Sequence, residues 1–131
     1  MRNQTKTTWI AAVAVLLAAA ALAQSSSFNF AGPLSRIITP NGDGNNDIAF
    51  LRFCNPGDSD VSGRIYTLLG FEVAALGPRV QGLDGCAAAS VFSQYLTWDG
   101  RSNGTVVRSG IYVYRIQAES RIYSGTIVVV R

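Results

Sequence analysis

The side chains best suited to binding a ligand lie in a run of Asn, Gly and Asp residues at positions 41–47. Asp43, Asn45 and Asp47 place oxygen-bearing side chains at alternate positions, as in the first half of a calcium-binding loop. The pattern is incomplete, because Ile48 stands where such a loop has glycine and Cys54 where it has glutamate. The sequence leaves two alternatives: a calcium site, or a metal-free turn held by its own Asn and Asp side chains.

The supply of reactive side chains argues against an enzyme. The chain has no His, and its one lysine, Lys6, lies in a segment predicted to be removed. The commonest general base and the amine of Schiff-base chemistry are therefore missing. Asp58 and Asp60 are a pair of neighbouring carboxylates of the kind a glycosidase uses, but they lie in a polar turn. A hydrolase is the third and least favoured functional hypothesis.

The two cysteines are predicted to form one disulfide bond. Cys54 and Cys86 are the only cysteines, and an even number in an exported protein is most simply a structural pair. A metal or redox pair would have closer spacing, such as Cys-x-x-Cys. This prediction requires that the protein is exported, and the N-terminal sequence indicates that it is.

The first 23 residues have the organisation of a secretory signal peptide. Arg2 and Lys6 precede an uncharged stretch rich in Ala, Val and Leu at positions 9–23, which ends Ala21-Leu22-Ala23. A membrane anchor is the alternative, but a span needs about 20 apolar residues. We expect cleavage before Gln24 and a location outside the cell or on the cell surface of a bacterium, with no membrane span left.

The formal charge of +3 owes much to the predicted signal peptide, which carries Arg2 and Lys6. The remaining arginines are dispersed and form no run that would follow a phosphate backbone. The sequence therefore predicts no nucleic-acid binding. We expect the partner to be a protein, including another copy of this chain, or a glycan.

The rest of the chain predicts short β-strands. Apolar and polar residues alternate over 61–66 and 111–118, and further strands are expected at 48–53, 71–76, 91–98 and 121–130. Positions 77–90 are rich in Gly and Ala and are expected to be an irregular loop. Asn103-Gly104 favours a type I′ hairpin turn. About seven strands and no helical periodicity predict an all-β sandwich.

Three motifs give the chain a family resemblance. Trp98-Asp99-Gly100 followed by Ser109-Gly110-Ile111-Tyr112-Val113-Tyr114 resembles the immunoglobulin-like domain of the flagellar hook-capping (FlgD)/Vpr type. The hairpin sequence at 64–73 is similar to the same family. The segment 39–47 is similar to the start of C-terminal domains associated with gliding motility and type IX (type B) secretion. The resemblance covers about residues 37–131.

The resemblance implies an immunoglobulin-like antiparallel β-sandwich over residues 37–131. Physically the motifs indicate architecture: Trp98 fills the core between sheets, Asp99-Gly100 forms the turn after it, and Tyr112 and Tyr114 share one face of a strand. Gly70 and Gly110 are expected where the backbone turns sharply.

Residues 24–36 are predicted to form a leader ahead of the domain. Phe28, Phe30 and Leu34 stand at even positions, so the segment is a candidate donor strand that pairs with a neighbouring subunit. The alternative is that the segment pairs with its own domain or stays flexible. The leading functional hypothesis is a non-enzymatic structural or adhesive module, including a self-assembling fibre subunit. The second is a secretion-sorting or cell-surface attachment domain.

Overall fold

The computed structural model describes residues 28–86 and 89–131, apart from the side chains of 89 and 90. The predicted signal peptide and residues 24–27 of the leader lie outside the described residues. The described part is all β. Its strands in chain order are β1 (Asn29–Pro33), β2 (Ile37–Ile38), β3 (Ala49–Cys54), β4 (Val61–Thr67), β5 (Glu72–Ala75), β6 (Val80–Cys86), β7 (Ala89–Trp98), β8 (Arg101–Ser102), β9 (Thr105–Val106), β10 (Gly110–Ala118) and β11 (Arg121–Val129).

The strands form two sheets and one small ribbon. The first sheet has the order β1-β3-β7-β6, the second the order β2-β11-β10-β4-β5, and β8 pairs with β9. All pairs are antiparallel except β2 with β11. These orders correspond to the A-B-E-D and G-F-C-C′ sheets of an immunoglobulin domain, with β2 as a short parallel segment beside the last strand. The predicted all-β, immunoglobulin-like sandwich is confirmed.

The core lies between the sheets and follows the predicted alternation. Leu51 and Phe53 of β3, Ile65 of β4, Ile116 of β10 and Ile127 of β11 are fully buried. On β10 the side chains at 112, 114, 116 and 118 are buried, while those between them face outward. Each large apolar side chain removed from water stabilises the fold by about 1.5–3 kcal/mol, so this two-residue period is a main source of stability.

The sandwich includes Phe28, nine residues before the predicted domain boundary at 37. The Phe28 side chain is 5% exposed, and its ring centroid lies 5.2 Å from that of Phe53 and 5.5 Å from that of Tyr123. Strand β1 pairs with β3 of the same chain. Within the described residues the leader therefore pairs with its own domain, while donation of this segment to a second copy stays a prediction.

Leu34 does not share a face with the two phenylalanines, contrary to the prediction from even spacing. The register of β1 on β3 shifts between Phe30 and Gly32, where Gly32 adopts a φ of +98°. This bulge adds one residue and reverses the alternation after it. Leu34 is consequently 61% exposed, while Phe30 packs against Tyr114 and Tyr123.

The segment 77–90, predicted as an irregular loop, contains β6 and the first residues of β7. The strand β6 is not visible in the sequence, because its glycines interrupt the alternation of apolar and polar residues. A Cβ atom on Gly82 would lie 2.5 Å from Tyr95 Cε2 and still closer to Ser93 Oγ, so the β7 side chains occupy the space that a larger residue would need. The register of β6 on β7 shifts twice, between Gln81 and Gly85 and again before Cys86.

The predicted turn at Asn103-Gly104 is confirmed, but the expectation for Gly110 is wrong. Asn103 and Gly104 have φ values of +49° and +82° and join β8 to β9, as a type I′ turn requires. Gly70 has a φ of +89°. Gly110 is the first residue of β10, pairs with Val129 and has no positive φ.

Candidate interaction surface

The predicted disulfide is present and closes one end of the first sheet. Cys54 and Cys86 are bonded, with their Cα atoms 5.9 Å apart. They end β3 and β6, which are separated by β7 in the sheet. Strands two positions apart lie about 9.5 Å from each other, so the end of β6 must curl towards β3. The bond therefore fixes an edge strand to the middle of its sheet, unlike the inter-sheet bond of antibody domains.

The loop at 41–47 satisfies its own polar groups. Both carboxylate oxygens of Asp47 accept backbone N–H groups, from Asn41 and Gly42 at 3.0 and 2.8 Å on Oδ1 and from Gly44 at 2.7 Å on Oδ2. Asp43 accepts from Asn45 N at 2.8 Å and from Asn41 Nδ2 at 3.0 Å. The three backbone N–H groups that bond Asp47 lower the pKa of its carboxyl group, Gly42 most strongly and Gly44 next.

This arrangement does not fit calcium. The oxygens of Asp43 and Asp47 that the sequence offered as ligands face N–H dipoles, whose positive ends oppose a cation. Asn45 contributes its backbone N–H to Asp43, and its backbone C=O accepts from Thr39 Oγ1 at 3.2 Å. Within the described residues, no three His, Cys, Asp or Glu side chains are placed to hold a metal ion. The metal-free turn is the alternative that the geometry supports.

Trp98 fills the core as predicted. It is 3% exposed, packs edge-on against Tyr112 at 5.4 Å and donates from Nε1 to the carbonyl oxygen of Arg101 at 3.0 Å. Asp99 accepts from Arg101 N at 3.0 Å, which holds the turn after the strand. Gly100 has a φ of +72°, and a Cβ there would lie 2.8 Å from Pro40 Cγ. Two segments that carry the family resemblance therefore touch at this turn.

Tyr112 and Tyr114 both face the core, as predicted, and play different parts. The Tyr112 hydroxyl donates to the carbonyl oxygen of Arg108 at 2.8 Å, four residues upstream. A tyrosine near the start of strand F that bonds backbone just before it is the tyrosine corner of immunoglobulin-like folds. Burial raises the pKa of Tyr114, while the nearby Arg36 charge opposes the rise. Both residues have architectural roles.

A polar network of four side chains lies on the outer face of the first sheet. Asp84 accepts from Ser93 Oγ at 2.8 Å and from Tyr95 Oη at 2.9 Å and forms an ion pair with Arg52. The two hydroxyl donors, Ser93 first, lower the pKa of Asp84. Ser93 is fully buried although it points away from the core. The network holds the irregular β6 on β7, and sequence reasoning missed it because its members are far apart in the chain.

An exposed group of large apolar side chains forms the tip of the β4–β5 hairpin. We call Leu68, Leu69 and Phe71 the hairpin tip; they are 65%, 84% and 68% exposed. The turn beneath them is ordered: Thr67 N donates to Phe71 O at 2.8 Å, and Gly70 N donates to Thr67 O at 3.0 Å. Thr67 Oγ1 accepts from Phe71 N at 3.2 Å. A tightly bonded turn thus displays three large apolar side chains to solvent.

A hydrogen bond from the β8–β9 ribbon holds the strand that follows the hairpin tip. Ser102 Oγ, on β8, donates to Val73 O of β5 at 2.7 Å. The ribbon that follows Trp98 therefore supports the strand that follows the tip. The sequence shows the apolar run Leu68-Leu69 but gives no sign that it is exposed, since apolar residues of a hairpin are equally expected in the core.

Asp58 and Asp60, the two carboxylates considered for hydrolysis, have different surroundings in the structure. Asp58 forms an ion pair with Arg79 at 2.7 Å. Asp60 lines a surface cleft of about 610 Å³ together with Glu119. The hydrolase hypothesis stays a prediction with no geometry to support it.

Comparison with protein-family models, curated proteins and solved structures found no match to this chain. The resemblance to the hook-capping/Vpr and type IX C-terminal domains therefore stays a prediction, as does secretion. Across residues 28–86 and 89–131, no helix is long and apolar enough to cross a membrane. What the fold defines is a class, the immunoglobulin-like sandwich. Any assignment of function has to come from the surface of this sandwich.

Proposed function

We propose that this protein is a non-enzymatic, secreted or cell-surface immunoglobulin-like module with a structural or adhesive role, and that it binds a partner protein through the hairpin tip. The observation that carries the proposal is the display of Leu68, Leu69 and Phe71 on a hydrogen-bonded turn. Large apolar patches that remain exposed in a folded domain commonly mark interaction sites.

The energetics of the tip favour binding. Transfer of one such side chain from water into an apolar pocket contributes about 1.5–3 kcal/mol. The cost of ordering a loop on association is small here, because the turn from Thr67 to Phe71 already has its bonds. Because the tip is preorganised, little of the free energy gained by burying it is spent on ordering the turn.

The chemistry of the tip favours a protein partner over a glycan. Its exposed side chains are two leucines and a phenylalanine, with no hydrogen-bonding side chain among them. The neighbouring Glu72 is engaged with Arg64. Sugars need hydrogen bonds to their hydroxyl groups, so an apolar groove on a protein is the better match.

Binding of the labelled chain, residues 24–131, to whole cells of the producing bacterium tests the proposal. We expect Leu69→Ser and Phe71→Ser each to weaken binding by about tenfold or more, which corresponds to about 1.4 kcal/mol. Leu83→Ser is the matched control, since Leu83 is 97% exposed on β6 of the other sheet. Protease treatment of the cells should abolish binding, whereas removal of surface glycans should not. Tip variants that bind like the unaltered chain would refute the proposal.

A secretion-sorting or surface-attachment role is the second candidate. The contact of Pro40 with the Gly100 turn supports it, since the segment similar to the start of type IX domains, 39–47, packs against the turn that resembles the hook-capping/Vpr domain. A reporter fused ahead of this domain tests it. Because Phe28 belongs to the core, the fusion must include residues 28–131 and not only 37–131. A reporter that is not delivered to the surface of a type IX-competent host would exclude this candidate.

A further inference from the structure

The outer side of β11 is an open sheet edge along most of its length. Val128 N donates to Arg36 O at 2.7 Å and Val130 N donates to Ile38 O at 3.0 Å, so residues of even number point their backbone groups away from β10. Backbone groups alternate sides along a strand. The N–H and C=O groups of Ile122, Ser124 and Thr126 therefore face outward, beyond the end of β2.

These outward groups have no backbone partner within residues 28–86 and 89–131. Strand β2 and Arg36 before it bond this edge only from Val128 to Val130, and no side chain of the described residues bonds the backbone of 122, 124 or 126. An exposed row of strand N–H and C=O groups is a template for another strand. The open length runs from Arg121 to Thr126.

The other long edges of the two sheets carry protection that β11 lacks. Strand β1 has a bulge at Gly32 and ends at Pro33, while β6 shifts its register twice. Strand β5 has four residues and β2 has two. Strand β11 pairs with β10 over nine consecutive residues without a shift, and Arg121 at its start is the one charged residue of the strand. Charges, prolines and bulges are the usual devices against edge pairing.

We propose that β11 pairs antiparallel with β11 of a second copy of this chain, joining their second sheets into one. Pairing centred on Tyr123 sets Ile122 opposite Ser124 of the second copy. The paired segments then span 121–125 and stop before the Arg36 carbonyl that already bonds Val128. The open length is thus matched to a two-fold arrangement, which makes the edge complementary to itself.

Charge does not oppose this arrangement. Arg115 lies opposite Ser124 on the neighbouring strand β10. In the joined sheet, the two Arg115 positions are three strand spacings apart, about 14 Å. That separation exceeds the screening length of about 8 Å at physiological salt. Ile122 and Ser124 flank Tyr123 at the axis and are uncharged, and Arg121, the one charged residue of the paired segment, lies opposite Gly125 of the second copy. The two Arg121 positions stand at opposite ends of the paired segment, about 13 Å apart along the strands.

Amide exchange of residues 24–131, measured by NMR across a concentration series up to about 1 mM, tests the proposal site by site. We expect the Ile122 and Ser124 amides to exchange fast when dilute and at least tenfold slower when concentrated. The Tyr123 and Gly125 amides, which face β10, should be slow throughout. Protection of 122 and 124 that is already complete at high dilution would show the edge covered within the monomer and would overturn the proposal.

Sedimentation of an edge variant supplies a second, independent readout. Ser124→Pro removes an outward N–H without removing a bond to β10, and Ser62→Lys is the control on an inner strand of the same sheet. We expect the unaltered chain and Ser62→Lys to approach twice the monomer mass at high concentration, while Ser124→Pro stays at monomer mass. If Ser124→Pro fails to fold, Ile122→Lys, which sets a charge opposite Ser124 of the second copy, replaces it. A folded edge variant that dimerises like the control, or an unaltered chain that stays monomeric, would overturn the proposal.

Discussion

The ring of Tyr114 on β10 lies over Gly125, its cross-strand partner on β11. A Cβ atom on Gly125 would fall within 2.9 Å of three atoms of that ring, Oη, Cζ and Cε1. An aromatic side chain that covers a glycine on the neighbouring strand protects the backbone and fills the space left by the missing side chain. The pair also gives Phe30 a surface to pack against, with ring centroids 5.8 Å apart.

Gly125→Ala is therefore expected to destabilise the fold. The added methyl group must displace the buried Tyr114 ring, and overpacking of this kind costs about 1–3 kcal/mol. Urea unfolding measures the loss. In a Tyr114→Leu background the same substitution should cost less, because the displaced ring is gone. An equal cost in both backgrounds would show that the ring does not set the requirement for glycine.

Gly100→Ala and Gly104→Ala separate two reasons for a glycine. Both positions have positive φ, +72° and +82°, but only at Gly100 would a Cβ meet another residue, Pro40. We expect Gly104→Ala to cost about 1 kcal/mol for the left-handed backbone. Gly100→Ala should cost about 2–4 kcal/mol, since a close contact is added. If both variants lose the same unfolding free energy, the close contact with Pro40 does not add to the requirement for glycine at position 100.

Removal of the disulfide should lower the free energy of unfolding by about 2–4 kcal/mol. The pair closes a loop with a sequence separation of 32 residues and holds the edge strand β6 against its sheet. Cys54→Ala combined with Cys86→Ala, measured by thermal unfolding, tests this. The unaltered chain under reducing conditions is the control and should lose a similar amount. Amides of β6 should lose protection first, whereas those of β10 should keep theirs.

Asp47 should make the stability depend on pH in the acid range. Its pKa in the folded chain lies below the ordinary value of 3.8, because backbone N–H groups stabilise the carboxylate. The resulting stabilisation is fully present above the unfolded pKa and is lost as the pH falls through the folded pKa. Unfolding measured from about pH 6 down to about pH 2 should show a smaller loss for Asp47→Asn than for the unaltered chain.

The control for that experiment is Asp60→Asn, which removes an equal charge from an exposed turn outside the loop at 41–47. We expect its stability to fall with acid as in the unaltered chain. If Asp47→Asn and Asp60→Asn behave alike, the loop would not be held by the Asp47 carboxylate. Addition of calcium should leave the melting temperature of all three chains unchanged.

Local patterns predicted the parts of the fold that depend on neighbouring residues. The alternation from Tyr112 to Ala118 identified the buried face of β10, and Asn103-Gly104 identified the turn between β8 and β9, because both follow from backbone geometry over a few residues. The faces of the leader strand could not be predicted in this way. Even spacing placed Leu34 with Phe28 and Phe30, but the bulge at Gly32 reverses the face, and a bulge is fixed by pairing with β3.

The candidate sites show the same division. The residues of the loop at 41–47 were singled out correctly as a polar turn, yet their oxygens face the loop's own N–H groups, which only the folded backbone reveals. The strand β6 was hidden by its glycines. Asp84, Ser93 and Tyr95 form a network whose members carry no motif.

By itself the sequence determined the all-β class, the immunoglobulin-like motifs, the disulfide pair and the buried faces of the regular strands. These depend on residue type and on a spacing of two, which the chain carries locally. Only the tertiary structure decided that Phe28 belongs to the core, that Leu69 stands in solvent and that the edge of β11 is left open. Such outcomes depend on which strand lies beside which, and strand pairing joins residues that are distant in the chain.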